Sequence, residues 1–90
     1  MENLNQFRNN INLIDSQLVK LLETRMSLSQ KIGIIKLKNN SPILNINREN
    51  EIINSLQEST QLQDDFVKNL WNLIFHQSRD IQLELNLEKK

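Results

Sequence analysis

Two cations stand where a helix ought to be apolar. Arg25 interrupts the series Leu4, Phe7, Ile11, Ile14, Leu18, Leu21, Leu28, Ile32 and Ile35, whose alternating steps of three and four residues mark one face of an amphipathic helix. A guanidinium on such a face is costly unless an anion meets it. Lys36 follows eleven residues later, and eleven steps of about 100° return it to within roughly 20° of Arg25 around the axis. Further on, Ser78 and Gln82, four residues apart, interrupt a second apolar stripe, and the pair Arg48-Glu49 sits at the start of another candidate helix. Arg8 is a sixth polar feature of the same kind.

Each of these has a plainer reading. Arg and Lys can lay their stems on a core and reach water. A Ser in a stripe can be a small packing residue, a Gln can bond one helix to another, and Arg48-Glu49 can open a solvated helix. Asp15 reads as a local salt-bridge or helix-packing residue, Trp71 as core, and His76 as a lone histidine without a second metal ligand. No nucleophile–base pair, Gly-rich phosphate loop or metal-ligand cluster stands out, so neither metal nor cofactor is expected. An enzyme built from these residues would work with cations and neutral donors alone. That suits a small dianion whose reaction needs folding and charge stabilisation, not proton shuttling.

The elements that must position these groups are helical. One Gly and one Pro among 90 residues leave little punctuation. The pattern predicts an all-α chain: a long helix from about Asn3 to Lys38, a short one from Ile46 to Gln57, and a medium one from Gln63 to Leu87. Asn39-Asn40-Ser41-Pro42 is the first break and Glu58-Ser59-Thr60-Gln61 the second. Asn45 reads as an N-cap, Thr60 with Gln63 as a capping box, and Asp64-Asp65 as a helix start. The short helix offers Ile46, Ile52, Ile53 and Leu56 as its apolar side; the medium one offers Val67, Leu70, Trp71, Ile74, Phe75, Ile81 and Leu85. The tail Glu88-Lys89-Lys90 reads as frayed. Gly33, between Ile32 and Ile34, reads as a point of close approach for a backbone or ligand.

Ninety residues bound this to one domain, 1–90, and 38% hydrophobic content is low for a self-sufficient monomer. The first helix would be about 54 Å long, too long for a compact bundle of this size, so part of it is expected to pack on a second copy. Eleven basic and eleven acidic residues cancel, which argues against general nucleic-acid binding. No apolar run approaches the roughly 20 residues of a membrane span. The N-terminus does not read as a secretory signal and there is no Cys, so the expected location is cytoplasmic.

The ordered set Arg8, Ile14-Asp15, Leu21-Leu22-Glu23-Thr24-Arg25, Gly33, Lys36, Pro42, Arg48-Glu49 and Leu73-Ile74-Phe75-His76-Gln77-Ser78 closing on Gln82 resembles the all-helical class II chorismate mutases. The resemblance runs from about Leu4 to Gln82. It implies an intertwined homodimer that rearranges chorismate to prephenate on the route to Phe and Tyr. It implies that Arg25, and Arg8 from the partner chain, bind the two carboxylates. Lys36 would meet a carboxylate and the ether oxygen whose bond breaks, and Gln82 would donate to the same oxygen. Arg48 and Glu49 would lie at the ring side, with Glu49 taking the ring hydroxyl, and Ser78 would contact a carboxylate. Asn45 departs from the Asp that many relatives carry; as a cap it would serve equally, but as a charge it would not. Nothing after residue 90 reads as a dehydratase, dehydrogenase or amino-acid-sensing domain, so feedback inhibition within this chain is not expected. An isochorismate-pyruvate lyase of the same fold and a non-catalytic helical dimerisation or regulatory module are the competing expectations.

Overall fold

The structure is a computed structural model and describes residues 3–88. Helix α1 spans Leu4–Lys38, α2 spans Ile46–Ser59 and α3 spans Asp64–Glu88. Asn3 caps α1, its side chain accepting from the Asn5 amide at 2.9 Å. At the other end, Asn40 takes the left-handed conformation with φ 54°, which Asn tolerates better than most residues. Ser41 N–H then bonds Lys36 O at 2.8 Å and Asn40 N–H bonds Leu37 O at 3.4 Å, the paired bonds of a Schellman ending. This reversal, followed by Pro42, turns the chain back beside the last turn of α1.

Asn45 opens α2 as expected, accepting from Arg48 N–H at 3.1 Å. The second break is shorter than the sequence predicts, since Glu58 and Ser59 remain helical. Thr60 is not the cap of α3. Its hydroxyl accepts from Leu62 N–H at 3.2 Å, closing a local turn, and the first bond into α3 runs from Val67 N–H to Gln63 O at 3.1 Å. Gln57 Nε2 donates to Asp64 O at 3.0 Å, which ties the end of α2 to the start of α3. Helix α3 includes Glu88; Lys89 and Lys90, the rest of the tail read as frayed, lie outside the described residues.

Helix α3 is the shared partner: α1 and α2 both pack on it. Along α1, Arg25 faces Phe75, Ser29 faces Ser78, and Gly33 faces Gln82 and Leu85, so α1 and α3 run in the same direction. The buried apolar residues are few among those described: Ile53, Val67, Ile74 and Phe75. Ile46, expected on the apolar side of α2, is instead 59% exposed, at the first residue of the helix.

The apolar stripe of α1 is not the surface that meets α3. The buried residues of α1 are Ser29 and Gly33, small groups that let two helices approach closely. Leu4, Phe7, Ile11, Ile14, Leu18 and Leu21 are all at least half exposed. The described chain measures 61 × 27 × 15 Å with a radius of gyration of 16.9 Å. A globular chain of this length would have a radius near 12 Å. The N-terminal half of α1 extends beyond the three-helix cluster.

Gly33 marks a close approach of α1 to α3. A Cβ there would lie 2.8 Å from Gln82 Cγ and 2.9 Å from Leu85 Cδ1. On an exposed helix, Gly→Ala stabilises by about 1 kcal/mol. Here overpacking of about 1–3 kcal/mol opposes that gain. Gly33→Ala is therefore expected to melt at or below the wild-type temperature, with lower activity as Gln82 is displaced. A clear rise in melting temperature would contradict the packing described.

Candidate active site

The C-terminal half of α1, the loop after it, the first turns of α2 and the middle of α3 enclose a cleft of about 400 Å³. Its walls carry Arg25, Lys36, Asn45, Arg48, Glu49, Ser78 and Gln82, seven of the eight residues singled out from the sequence. Arg8 does not reach it. Seventeen residues separate Arg8 from Arg25, or about 25 Å along one straight helix.

Each side chain is held by a local device. Lys36 Nζ donates to Ile43 O at 2.7 Å, across the reversal that Asn40 makes possible. This uses one of three ammonium hydrogens and leaves two for other acceptors. Gln82 is buried, and its Nε2 donates to Ser29 O at 3.1 Å. A carbonyl can only accept, so the orientation of this carboxamide is determined, and a second N–H remains on Nε2. Gln82 Oε1 is buried without a partner among the described residues. Ser78 hydrogen-bonds to Ser29 through their hydroxyls, joining α3 to α1 in the same seam.

Arg25 lies over the Phe75 ring, with its guanidinium carbon 5.6 Å from the centroid. Its guanidinium is held below the usual arginine value, first by desolvation and second by the charge of Arg48. Both causes oppose a positive charge, and a bound carboxylate would offset both. Among the described residues no carboxylate forms a salt bridge with Arg25 or Lys36. Arg48 has one exposed partner, Glu51, at 4.0 Å.

Two wall residues carry polar groups that the sequence pattern did not single out. Ser29 lies one turn beyond Arg25 on the same face of α1, a signal available in the spacing. Arg79 sits between Ser78 and Gln82 and binds Glu49 through Nη1 and Oε2, linking α3 to α2. Nothing local in the sequence pairs residues 49 and 79; that contact depends on how α2 docks. The walls thus hold four cations, Arg25, Lys36, Arg48 and Arg79, against one carboxylate, Glu49. A local excess of three positive charges arises in a chain whose basic and acidic residues cancel.

The single histidine, His76, lies outside the cleft in a surface pair with Asp80, 3.5 Å apart on one face of α3. Among the described residues no group of three or more His, Cys, Asp or Glu is placed to hold a metal ion. No described helix is long and apolar enough to cross a membrane.

Fold and cleft together define a class: an all-helical protein with a cleft lined by several cations and by neutral amide and hydroxyl groups. The model for "Chorismate mutase type II" matches residues 7–83. The chain is 36% identical over 75 residues to a bifunctional chorismate mutase/prephenate dehydratase of Buchnera aphidicola subsp. Baizongia pistaciae, an alignment that covers 80% of this chain and 20% of that protein. It is 41% identical over 56 residues to the protein of the same description from Aquifex aeolicus, covering 62% of this chain and 16% of that one. A solved structure of a conserved hypothetical protein from Pyrococcus furiosus superposes with a TM-score of 0.75 at 32% identity, over 88% of this chain and 93% of that one. The chain belongs to the type II chorismate mutase family. It spans about a fifth of the length of the curated relatives it matches.

Proposed function

We propose that residues 1–90 act as a single mutase domain that rearranges chorismate to prephenate, in the cytoplasm and as a homodimer. The observation that carries the reading is the convergence of Arg25, Lys36, Arg48 and Gln82 on one cleft in a chain of this family.

The reaction is an isomerisation. A C–O bond breaks, a C–C bond forms, and no proton or electron leaves the substrate. The residues therefore need only fold the substrate and stabilise charge. Arg25 and Arg8 of a second copy would bind the two carboxylates, with Ser78 assisting. Arg48 would flank the ring, and Glu49 would accept the ring hydroxyl. Asn45 supports Arg48 as the cap of α2, a role that requires no charge. Held this way, the enolpyruvyl arm lies over the ring in the compact conformer from which the bond can form. Negative charge grows on the ether oxygen as the C–O bond lengthens. Lys36 and the second N–H of Gln82 Nε2 would meet it there, more strongly in the transition state than in the ground state.

The dimer reading rests on α1. Its N-terminal half exposes a stripe from Leu4 to Leu21, more apolar surface than a monomer ordinarily leaves uncovered. A second copy laid along it in a two-fold arrangement would bury that stripe and bring Arg8 to the opposite cleft.

The direct test is chorismate consumption by the purified protein with the product identified. Prephenate supports the reading, salicylate with pyruvate would indicate the lyase, and no turnover would indicate a non-catalytic module. The shared site has its own test. Arg8→Ala and Arg25→Ala dimers are each expected to lose about tenfold or more in kcat/KM. Mixed under conditions of subunit exchange, about a quarter of the sites would regain both arginines, because half the dimers are mixed and each mixed dimer has one complete site. Activity that stays at the level of the two mutants would rule out sharing.

A further inference from the structure

Glu49 presents a problem for a cleft that binds a dianion. It is the one carboxylate on the walls, and it shares them with Arg25, Lys36 and Arg48. Left to itself, a carboxylate in the first turn of α2 would be drawn to those cations and would occupy the charges that the substrate needs. The structure holds it elsewhere. Glu49 and Arg79 form an ion pair across the α2–α3 boundary, with side chains only 22% and 28% exposed. The contact engages Oε2, and no hydrogen bond to Oε1 is present among the described residues.

We propose that Arg79 is a positioning residue of this site: it fixes the Glu49 carboxylate at the ring end of the cleft, so that Oε1 accepts a hydroxyl of the substrate while the other cations remain open to its carboxylates. The inference rests on the function proposed above and extends it to a residue outside the expected set. The pairing suits the task. A guanidinium is rigid and always charged, so it holds a carboxylate in one orientation, which a flexible ammonium does less well. The fixed carboxylate then serves selectivity as well, since it repels a substrate carboxylate that enters the wrong way round.

A pair linking two helices can also be a simple clamp, and kinetics separate the roles. Glu49 would hold the hydroxyl in ground state and transition state alike, so its misplacement weakens binding more than turnover. Steady-state kinetics with chorismate would be measured for the wild type, Arg79→Met, Arg79→Lys, Glu49→Gln and the Arg79→Met/Glu49→Gln double variant, with melting temperatures alongside. Arg79→Met is expected to raise KM by about tenfold or more, with kcat changing far less. Arg79→Lys should recover part of that loss. The double variant should bind no worse than Glu49→Gln alone, because a neutral amide no longer competes for the cations.

An unchanged KM in Arg79→Met, or effects that multiply in the double variant, would overturn the proposal. So would a lowered melting temperature accompanied by reduced kcat at constant KM, which is the mark of a clamp. If the wild type itself leaves chorismate untouched, the underlying function fails and this inference with it. If the wild type turns over while Arg79→Met is indistinguishable from it, the inference alone fails.

Discussion

Lys36→Ala is expected to lower kcat for chorismate by about 10²–10³-fold, the usual loss when one preorganised donor to a developing oxyanion is removed. The geometry explains why so small a change should matter so much. Lys36 lies in the last turn of α1, and its ammonium is fixed by Ile43 O at 2.7 Å, so it is ordered before any substrate arrives. Little reorganisation remains to be supplied when charge builds on the ether oxygen. The fold should hardly notice the change. The loop reversal is made by backbone bonds from Asn40 and Ser41, and those do not involve the ammonium. Single-turnover kinetics, with circular dichroism to verify folding, would measure the effect. A Lys36→Ala protein with normal turnover would show that charge stabilisation at this position plays no part.

Gln82→Glu is expected to be comparably damaging at neutral and alkaline pH, and to recover on acidification. Gln82 is buried, and its Nε2 donates to the carbonyl of Ser29. A carboxylate placed there would face a carbonyl oxygen on one side and the negative ether oxygen on the other. Burial and both acceptors favour the protonated acid, so the Glu pKa would rise above its ordinary value of about 4.3. The sign follows: the acid donates where the amide donated, and activity falls as pH rises through the elevated pKa. The wild-type amide has no proton to lose, so its activity should persist through neutral pH. Parallel kcat–pH profiles of wild type and Gln82→Glu would diverge by about 10²–10³-fold on the alkaline side. Profiles of the same shape would mean that position 82 does not donate to the reacting oxygen.

Much of this was legible in the linear chain, because helices encode themselves locally. The scarcity of Gly and Pro, the 3–4 spacing of apolar residues and the cap at Asn45 give three helices with bounds close to those observed. Residues on one helix face are also local information. Arg25 with Lys36, and Ser78 with Gln82, could be grouped by angle alone, and all four do line one cleft.

Other features depended on how the helices dock. The stripe from Leu4 to Ile35 reads as a packing seam, part of it for a second copy; within one chain α3 meets α1 through Ser29, which the pattern did not single out, and Gly33, which it marked as a point of close approach. Periodicity identifies an apolar face but not its partner, and small residues leave no hydrophobic signal when they act as the point of contact. Thr60 has the spacing of a capping box, but the short link between α2 and α3 recruits it for a turn.

The clearest case is Glu49 with Arg79, thirty residues apart on different helices. Their charges are visible in the sequence, but their meeting is set by the angle and depth at which α2 packs on α3. In the same way, composition reports a chain without net charge, while only the packed helices create a cleft with a surplus of cations. Local spacing determined which residues share a helix face. Tertiary packing decided which faces meet, because that choice depends on close fit between side chains distant in sequence.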